Sequence, residues 1–321
     1  MQRNFKKLIE IGELTMAMTG ILRPGHTQLR VLDMEESLNH YCENIGLIET
    51  DRDDQGRVYL KCWDEQDKFS LVLEPSDRSG MDHMAFKVAT EQDLWRYESN
   101  VKNFGIETKR IPAGELKGCG ERVRFVAPAG HTFDLYAEKE QVGNGLPTTN
   151  PAPWPRGLKG MEPIRFDHCL LYGNNFEENF KFFTEALDFQ LTEQIVDGET
   201  QLAAFLTCST KAHDVAFIRS EKSGQLHHAS FLLSSWEGVL KAGDIISMED
   251  IPLETGPTRH GLTRGQTIYF FDPSGNRNEV FAEDSYVYPD SPVLTWTADN
   301  IGQAIFYHSR QLVESFMGVT S

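Results

Sequence analysis

The chain has 321 residues, of which 40% are hydrophobic and 25% charged, which argues against a disordered protein and predicts two domains with medium-sized cores. Its formal net charge of −17 argues against a nucleic-acid partner, because such a partner needs a basic face. No apolar run approaches the roughly 18 residues of a membrane-spanning helix, and the five cysteines form no C-x-x-C pair. We therefore expect a cytoplasmic protein with no membrane and no nucleic acid among its partners.

Residues 1–20 fit the pattern of the rest of the chain poorly. Met16 and Met18 offer later start points, and residues 11–13 fit a purine-rich ribosome-binding sequence just upstream of Met16. We expect residues 1–20 to lie outside the folded domains, with residues 1–15 a translated leader that has no structural role. An ordinary amphipathic N-terminal helix is the alternative.

Residues 21–147 are predicted to form a first domain of strands and two helices. A strand over residues 26–31 precedes a helix that opens at Asp33, where Glu36 has the capping-box spacing, and Gly46 ends this helix. The remaining predicted elements are, in chain order, strands 58–62, 69–73 and 83–88, a helix over 91–104, and strands around Val123 and Phe133.

The Pro-rich segment 148–155 is predicted as a linker to a second domain, residues 156–321. The predicted elements of this domain are, in order, strand 165–171, helix 177–187, strand 226–233, helix 235–246 and strand 267–271. A tight turn, DPSGN, follows the last strand and leads into a strand that carries Glu279. A carboxylate in an otherwise apolar strand is expensive unless something pairs it or binds it. Glu279 is therefore either a buried ion-pair partner or a metal ligand.

The two predicted domains repeat one another. The segment at 125–136, FVAPAGHTFDLY, resembles the segment at 271–281, FDPSGNRNEVF, with an acidic residue near the end of each. The matched polar positions are His26 with His168 at an offset of 142, His83 with His228 at 145, and Asp134 with Glu279 at 145. Each copy divides again into two units of one strand, one helix and three strands. The sequence therefore predicts an α+β fold of four βαβββ modules in two tandem domains, with mostly antiparallel sheets.

The matched positions of the second copy are His168, His228 and Glu279. Two neutral imidazoles and one carboxylate form the ligand set of non-haem Fe(II) sites, which leaves about three coordination positions open. Each residue also has an ordinary structural interpretation. A single histidine in a strand is commonly a hydrogen-bonded core residue, and Glu279 has Arg277 or Arg264 as an alternative ion-pair partner.

Further polar residues of the second copy surround this set in the sequence. His227 and His228 are adjacent, so on a strand we expect them to point to opposite faces, with only one lining a site. The repeat offset selects His228 and leaves His227 as a packing residue or one that supports the ligand. His213, His260 and Tyr269 are candidate acid–base groups.

At these residues the chain closely resembles the catechol 2,3-dioxygenase family, the type I extradiol ring-cleaving dioxygenases of the vicinal oxygen chelate superfamily. The likeness runs from about residue 21 to the end of the chain. The matching segments are RPGH (23–26), DRDDQGRVYL (51–60), FDH (166–168), STKAHDVAF (209–217), LHH (226–228), GPTRHGLT (256–263) and the strand–turn–strand of 267–281. The last segment resembles the signature of extradiol dioxygenases, so the resemblance is specific.

The resemblance implies that His168, His228 and Glu279 bind Fe(II) in the C-terminal domain. The other residues that it implicates are His213 as the acid–base group that assists oxygen activation, His260 and Tyr269 as hydrogen-bonding partners of the chelated substrate, and Leu262 and Phe316 as walls of the pocket. No metal is expected in the N-terminal domain, because the family has lost that site. This chain nevertheless keeps the analogous His26, His83 and Asp134, so a second metal there is left open.

The implied activity is Fe(II)-dependent extradiol (meta) cleavage of catechol or a substituted catechol by dioxygen, in the degradation of aromatic compounds. The implied product is 2-hydroxymuconic semialdehyde. Family members are commonly homotetramers, sometimes served by a ferredoxin that re-reduces oxidised iron. Two rival classes are a glyoxalase-like isomerase, which would use a second glutamate as ligand and base, and a non-catalytic sequestering module, which would lack the metal ligands.

Overall fold

The first half of the chain folds into two βαβββ modules in the computed structural model, which describes residues 19–321. The elements of the first module are β1 (Ile21–Val31), α1 (Met34–Leu38) with a π-helical extension (Asn39–Ile45), β2 (Ile48–Arg52), β3 (Val58–Lys61) and β4 (Leu71–Pro75). Those of the second module are β5 (Gly80–Val88), α2 (Glu91–Asn103), β6 (Thr108–Ile111), β7 (Arg122–Val126) and β8 (Thr132–Tyr136). The leader predicted for residues 1–15, and the alternative helix there, lie outside the described residues.

The second half repeats this arrangement and adds a C-terminal segment. The elements of its first module are β9 (Arg165–Gly173), α3 (Phe176–Lys181) with a π-helical extension (Phe182–Ala186), β10 (Gln190–Asp197), β11 (Thr200–Thr207) and β12 (Val215–Arg219). Those of its second module are β13 (Gln225–Leu232), α4 (Trp236–Met248), β14 (Leu253–Arg259), β15 (Gln266–Phe271) and β16 (Arg277–Ala282). The C-terminal segment contains β17 (Leu294–Thr297), α5 (Ile301–Ile305) and α6 (Glu314–Gly318).

The two halves have sheets of the same plan. The first sheet has the strand order β2-β3-β4-β1-β5-β8-β7-β6, and the second has β17-β10-β11-β12-β9-β13-β16-β15-β14, which is the same order with β17 added at one edge. Parallel pairing occurs at equivalent places, β1 with β4 and β5 with β8, then β9 with β12 and β13 with β16. Apart from the added β17, the other neighbours are antiparallel. The predicted α+β fold of four βαβββ modules is confirmed.

Local sequence signals set the ends of the first helical stretch, whereas the start of the first strand differs from the prediction. Asp33 caps α1, because its Oδ1 accepts a hydrogen bond from the Glu36 amide at 2.9 Å, and Gly46 ends the helical stretch at a φ of 97°. The first strand begins at Ile21 instead of residue 26, because its early residues also pair with β5. No element was predicted after residue 281, so the C-terminal segment is new.

Helices of each half pack against the other half. Phe182, in the extension of α3, contacts Phe125 of β7 with ring centres 5.4 Å apart. Tyr41, in the extension of α1, donates a hydrogen bond to Asp272 of the β15–β16 turn at 3.0 Å. The main cluster of buried apolar side chains therefore contains residues of both halves. None of the helices within residues 19–321 is long and apolar enough to cross a bilayer.

Candidate metal centre

Three neighbouring strands present the predicted ligands on one face of the second sheet. His168 lies on β9, His228 on β13 and Glu279 on β16, and β13 is the middle strand. Ser230 of β13 is paired with His168 on one side and with Glu279 on the other. His228 lies two residues from Ser230, so it shares that face of the sheet. The strand register explains why residues far apart in sequence meet here.

The three ligand atoms form a small, nearly regular triangle. The Nε2 atoms of His168 and His228 are 3.3 Å apart, and Glu279 Oε2 lies 3.1 Å from the first and 3.4 Å from the second. Ligands bound about 2.1 Å from one ion would be about 3 Å from each other. All three residues are buried, each with at most 3% of its surface exposed. Among residues 19–321, this is the one group of three histidine, cysteine or acidic side chains that converges closely enough to hold a metal. We call His168, His228 and Glu279 the metal group.

Glu279 is ionised by its surroundings. Burial raises its pKa, but the neighbouring imidazoles of His168, His228 and His260 outweigh burial and hold the pKa well below its usual range. Neither arginine proposed as an ion-pair partner contacts it, because Arg277 pairs with Glu254 at 2.6 Å and no ion pair between Glu279 and Arg264 occurs in the described part of the chain. The prediction of Arg277 or Arg264 as the ion-pair partner of Glu279 is wrong, and its close partners are histidines.

His227 and His228 do not point to opposite faces as predicted. The pairing of β13 with β9 shifts register between Leu226 and His228, and this bulge turns both rings to the same side. Their ring centres are 5.0 Å apart and their Nδ1 atoms 2.7 Å apart. His228 alone belongs to the metal group, as the repeat offset indicated.

Asp167 and Lys211 support the ligand His168, and the sequence analysis did not single them out. Asp167 Oδ2 accepts a hydrogen bond from His168 Nδ1 at 3.0 Å, which leaves Nε2 free for a metal. Lys211 Nζ lies 3.1 Å from Asp167 Oδ1 and 2.9 Å from Asp214 Oδ1. Burial lowers the pKa of His168, but hydrogen bonds to Asp167 and Glu279 outweigh it and raise the pKa to about 9. The acidic residue directly before His168 was the available signal.

A cavity of about 200 Å³ opens beside the metal group. The sequence-predicted residues that line it are His213, His260, Leu262, Tyr269 and Phe316. Most of the remaining wall is apolar, including residues that the sequence analysis did not identify, namely Ile195, Phe205, Ile301, Ile305 and Met317. The last three come from the C-terminal segment, whose contribution to the cavity no local pattern indicated.

His213 stands against the ligand His168 without being a ligand itself. The two ring centres are 4.0 Å apart. Burial, followed by the charge on His168, holds the pKa of His213 well below its usual range, so the ring is neutral. Its Nδ1 has no hydrogen-bond partner within residues 19–321. This geometry leaves the ring able to accept and return a proton.

Tyr269 and His260 form a hydrogen-bonded pair on the opposite wall. Tyr269 is paired directly with Glu279 across β15 and β16, so it shares the face of the metal group. His260 Nδ1 contacts the carbonyl oxygen of Ile305, which can only accept, so this nitrogen carries the proton. His260 Nε2 therefore accepts from the Tyr269 hydroxyl at 2.8 Å. Burial, and then the charge of Glu279, raise the pKa of Tyr269 well above its usual value, so the phenol is neutral.

Basic side chains occupy the equivalent place in the first half. His26 and His83 approach within 3.2 Å through their Nε2 atoms. Asp134 is bound by Arg124, at 2.7 Å, and by Arg122, at 2.9 Å, so its oxygens are already engaged. The prediction that this half holds no metal stays a prediction.

The fold and the site fit one class of protein, the enzymes that hold a single metal ion with two histidines and one carboxylate. Residues 165–280 match the family model described as the Glyoxalase/Bleomycin resistance protein/Dioxygenase superfamily, and residues 81–140 match the Catechol 2,3-dioxygenase-like N-terminal domain. A metapyrocatechase of Pseudomonas sp. (strain CF600) is 57% identical over 94% of this chain and 98% of its own length. A manganese-dependent 2,3-dihydroxybiphenyl 1,2-dioxygenase of Geobacillus genomosp. 3 is 27% identical over 91% of this chain and 95% of its own.

Solved structures agree with these relatives. The 2,3-dioxygenase LapB from Pseudomonas sp. KL28 has a TM-score of 0.86 and 52% identity, covering 88% of this chain and all of that chain. Homoprotocatechuate 2,3-dioxygenase from Brevibacterium fuscum, in its complex with 3,4-dihydroxyphenylacetate, has a TM-score of 0.84 and 27% identity. This match covers 97% of this chain and 96% of that chain. The chain therefore belongs to the catechol 2,3-dioxygenase (metapyrocatechase) family of extradiol dioxygenases. This membership excludes the isomerase and the sequestering module as alternatives.

Proposed function

We propose that this enzyme uses Fe(II), held by His168, His228 and Glu279, to cleave catechol or a substituted catechol beside its hydroxylated carbons. Both atoms of dioxygen are incorporated into the ring-opened product, so that catechol and dioxygen together give 2-hydroxymuconic semialdehyde. The reaction is part of the degradation of aromatic compounds. The observation that carries the proposal is the convergence of the three ligands at the floor of a small apolar cavity. The metapyrocatechase relative supports the choice of catechol.

The donor set fits a divalent first-row metal. Two imidazoles and one carboxylate suit iron, and a single carboxylate leaves a bound divalent ion with net positive charge. A bound Fe(II) would supply one centre for catechol and dioxygen and a path for electrons between them, which would remove the entropic cost of their encounter. One relative is manganese-dependent by name, so the metal itself must be tested.

The chain's own groups divide the work of holding the substrate and moving protons. The Tyr269 hydroxyl donates to His260, so its oxygen is left to accept a hydrogen bond from a catechol hydroxyl. His213 is a neutral base beside His168, placed to take a proton and return it. Leu262 and Phe316 are buried apolar walls that exclude water from the ring.

The test is ring cleavage by protein loaded with one metal at a time under anaerobic conditions. Catechol is added, air is admitted, and the product is identified by its yellow colour and its mass. We expect the yellow semialdehyde with Fe(II), and none from Glu279→Gln under the same conditions. Wild-type protein that binds Fe(II) but leaves catechol intact would contradict the proposal. A higher rate with Mn(II) would show that manganese, and not iron, is the metal of this enzyme. The homotetramer, the reactivating ferredoxin and the cytoplasmic location stay predictions.

A further inference from the structure

His227 is a buried histidine that none of the steps above uses. Its ring lies flat against Tyr172, with centres 5.1 Å apart and planes at 18°, and meets the edge of Phe316 at 4.5 Å. Each of its nitrogens has one close partner. Nδ1 lies 2.7 Å from Nδ1 of the ligand His228, and Nε2 lies 2.6 Å from the carbonyl oxygen of Phe316.

These two contacts determine where the protons lie. A carbonyl oxygen can only accept a hydrogen bond, so His227 Nε2 carries a proton and donates to Phe316. Nδ1 of a neutral His227 is then an acceptor, and its partner, His228 Nδ1, must be the donor. With its proton on Nδ1, His228 presents an unprotonated Nε2 to the metal group. The hydrogen bond from His228 to His227 thus selects the tautomer that can bind a metal.

The same contacts tie the ligand to the C-terminal segment. Arg277, at the start of β16, donates to the carbonyl oxygens of His227 at 3.0 Å, Val319 at 2.9 Å and Ser315 at 3.2 Å. Glu254 holds this guanidinium through two further bonds, at 2.6 and 2.8 Å. Residues 315–319 are therefore fixed to the bulge of β13 from two sides, by His227 and by Arg277.

The last residue of the chain adds a third attachment. The amide of Ser321 donates to the carbonyl of Leu226 at 3.0 Å, and the amide of Leu226 donates back at 2.8 Å. Leu226 immediately precedes the two histidines of the bulge. Phe316, on the segment held in this way, lines the cavity.

We propose that His227 is a positioning residue that fixes the tautomer and ring orientation of His228 and links it to residues 314–321, the last part of the C-terminal segment. The metal ligand and the cavity wall at Phe316 are thereby placed by one hydrogen-bonded chain, from His228 through His227 to Phe316. The inference rests on the proposed function only in assigning His228 to a metal, and metal affinity can be measured without catalysis.

Three substitutions at one position separate the two links. Asn places an amide oxygen near the Nδ1 position, so His227→Asn keeps an acceptor for His228 but does not reach Phe316. Gln places its amide near the Nε2 position, so His227→Gln keeps the bond to Phe316 and leaves His228 without its acceptor. His227→Phe keeps the ring volume and removes both bonds. His131→Phe is the matched control, because His131 is also buried and bound to a carbonyl, that of Gln225 at 3.1 Å.

Two quantities are measured. The first is the anaerobic dissociation constant for Fe(II), by competition with a chelator. The second is the rate at which a protease removes residues 314–321. We expect a dissociation constant about 10- to 100-fold higher in His227→Phe and His227→Gln, with His227→Asn and His131→Phe close to wild type. Cleavage of the segment should be faster in His227→Phe and His227→Asn, and unchanged in His227→Gln. Circular dichroism of each variant checks that it is folded.

Folded His227→Phe or His227→Gln with wild-type Fe(II) affinity would overturn the assignment of His227. Equal loss of affinity in His227→Asn and His227→Gln would also overturn it, because only one of them removes the acceptor for His228. If His227→Phe does not fold, the comparison of His227→Asn with His227→Gln decides alone. Wild-type protein that binds Fe(II) tightly without cleaving catechol would sink the proposed function and leave this inference standing.

Discussion

His213 and His168 show how two neighbouring histidines acquire different chemistry from their partners. Asp167 accepts a hydrogen bond from His168 Nδ1 and orients the Nε2 atom of His168 towards Glu279, whereas the Nδ1 atom of His213 has no protein partner within the described residues. The first ring is therefore held in one orientation, as a metal ligand needs, and the second keeps a nitrogen without a protein partner, as an acid–base group needs. The type of residue alone could not distinguish these two roles.

Replacing His213 by Phe tests this separation. The substitution keeps a ring against His168 but removes the exchangeable proton, so we expect metal content equal to wild type and turnover with catechol lower by about 100-fold or more. Metal analysis after gel filtration and oxygen uptake with catechol measure the two quantities. His308→Phe, at an exposed position, is the control and should keep both. Wild-type turnover in His213→Phe would rule out its acid–base role.

Lys139, in the first half, is a buried lysine whose charge is costly. Its Nζ lies within 3.3 Å of the carbonyl oxygens of Gly25 and Phe69, and 3.1 Å from His26 Nδ1. Burial lowers its pKa to about 7. In the unfolded chain the pKa is about 10.4. Between these two values the unfolded chain binds more protons, so the contribution of Lys139 to stability rises with pH.

We therefore expect the free energy of unfolding of wild type to rise relative to that of Lys139→Met as the pH increases. The relative gain should be about 2 kcal/mol between pH 7 and pH 9. Urea unfolding of both proteins at the two pH values measures it, and titrating groups that do not interact with Lys139 cancel in the difference. Parallel pH dependence of the two proteins would mean that Lys139 titrates near its ordinary pKa.

At the scale of single elements, the bulge in β13 has the largest consequence for the site. A regular strand would place His227 and His228 on opposite faces, and His227 would then be out of reach of His228 Nδ1. The register shift between Leu226 and His228 brings the two rings together. An adjacent pair of histidines gives no sign of this irregularity, because a bulge depends on the partner strand.

The helical stretch that begins with α1 ends in a tight contact with the segment between the halves. Gly46 has a φ of 97°, and a Cβ there would lie 2.1 Å from the carbonyl oxygen of Lys159. Gly105, after α2, has a φ of 99° but has nothing within 4 Å of its Cβ position. The two glycines share the backbone strain and differ in the steric contact.

We expect Gly105→Ala to lower the free energy of unfolding by about 1 kcal/mol, from the strained φ alone. Gly46→Ala should lower the free energy of unfolding by about 2 kcal/mol more than Gly105→Ala does, because the backbone at Lys159 must also move. Urea unfolding of both variants beside wild type measures the difference. Equal effects would mean that the segment at Lys159 yields without cost.

At the scale of the whole molecule, hydrogen bonds connect the two halves at the β15–β16 turn. The Tyr41 hydroxyl donates to Asp272 at 3.0 Å and accepts from Asn278 at 3.2 Å. Asn276, in the turn, donates to the carbonyl of Arg30 at 3.1 Å and accepts from the amide of Gly80 at 2.7 Å. The strand that carries Glu279 is therefore anchored in the first half of the chain.

Tyr41→Phe tests this connection between the halves. Removing the hydroxyl leaves Asp272 and Asn278 each short of a buried partner, so we expect a loss of about 2 kcal/mol in the free energy of unfolding. Urea unfolding followed by tryptophan fluorescence and by circular dichroism should give one shared transition that shifts as a unit. Tyr286→Phe, at a side chain that is 65% exposed, is the control with no shift. Separate transitions with only one displaced would show that the halves unfold independently.

The amino-acid sequence by itself determined the four-module plan and the residues of the metal group. Duplication left His168, His228 and Glu279 at matched offsets from His26, His83 and Asp134, and strand and helix periodicity are local properties that the sequence carries directly. Helix ends at Asp33 and Gly46 could be predicted for the same reason, since a cap depends on a few neighbouring residues.

Only the tertiary structure decided how those pieces meet. The bulge at His227, the C-terminal wall at Phe316 and the arginines that bind Asp134 each depend on contacts between residues that are far apart in the chain. Such contacts set the register between strands and the packing across the two halves. They also determine where protons lie between buried rings. The sequence therefore indicated which three side chains converge, whereas the folded chain determined which of their atoms face one another and what holds them there.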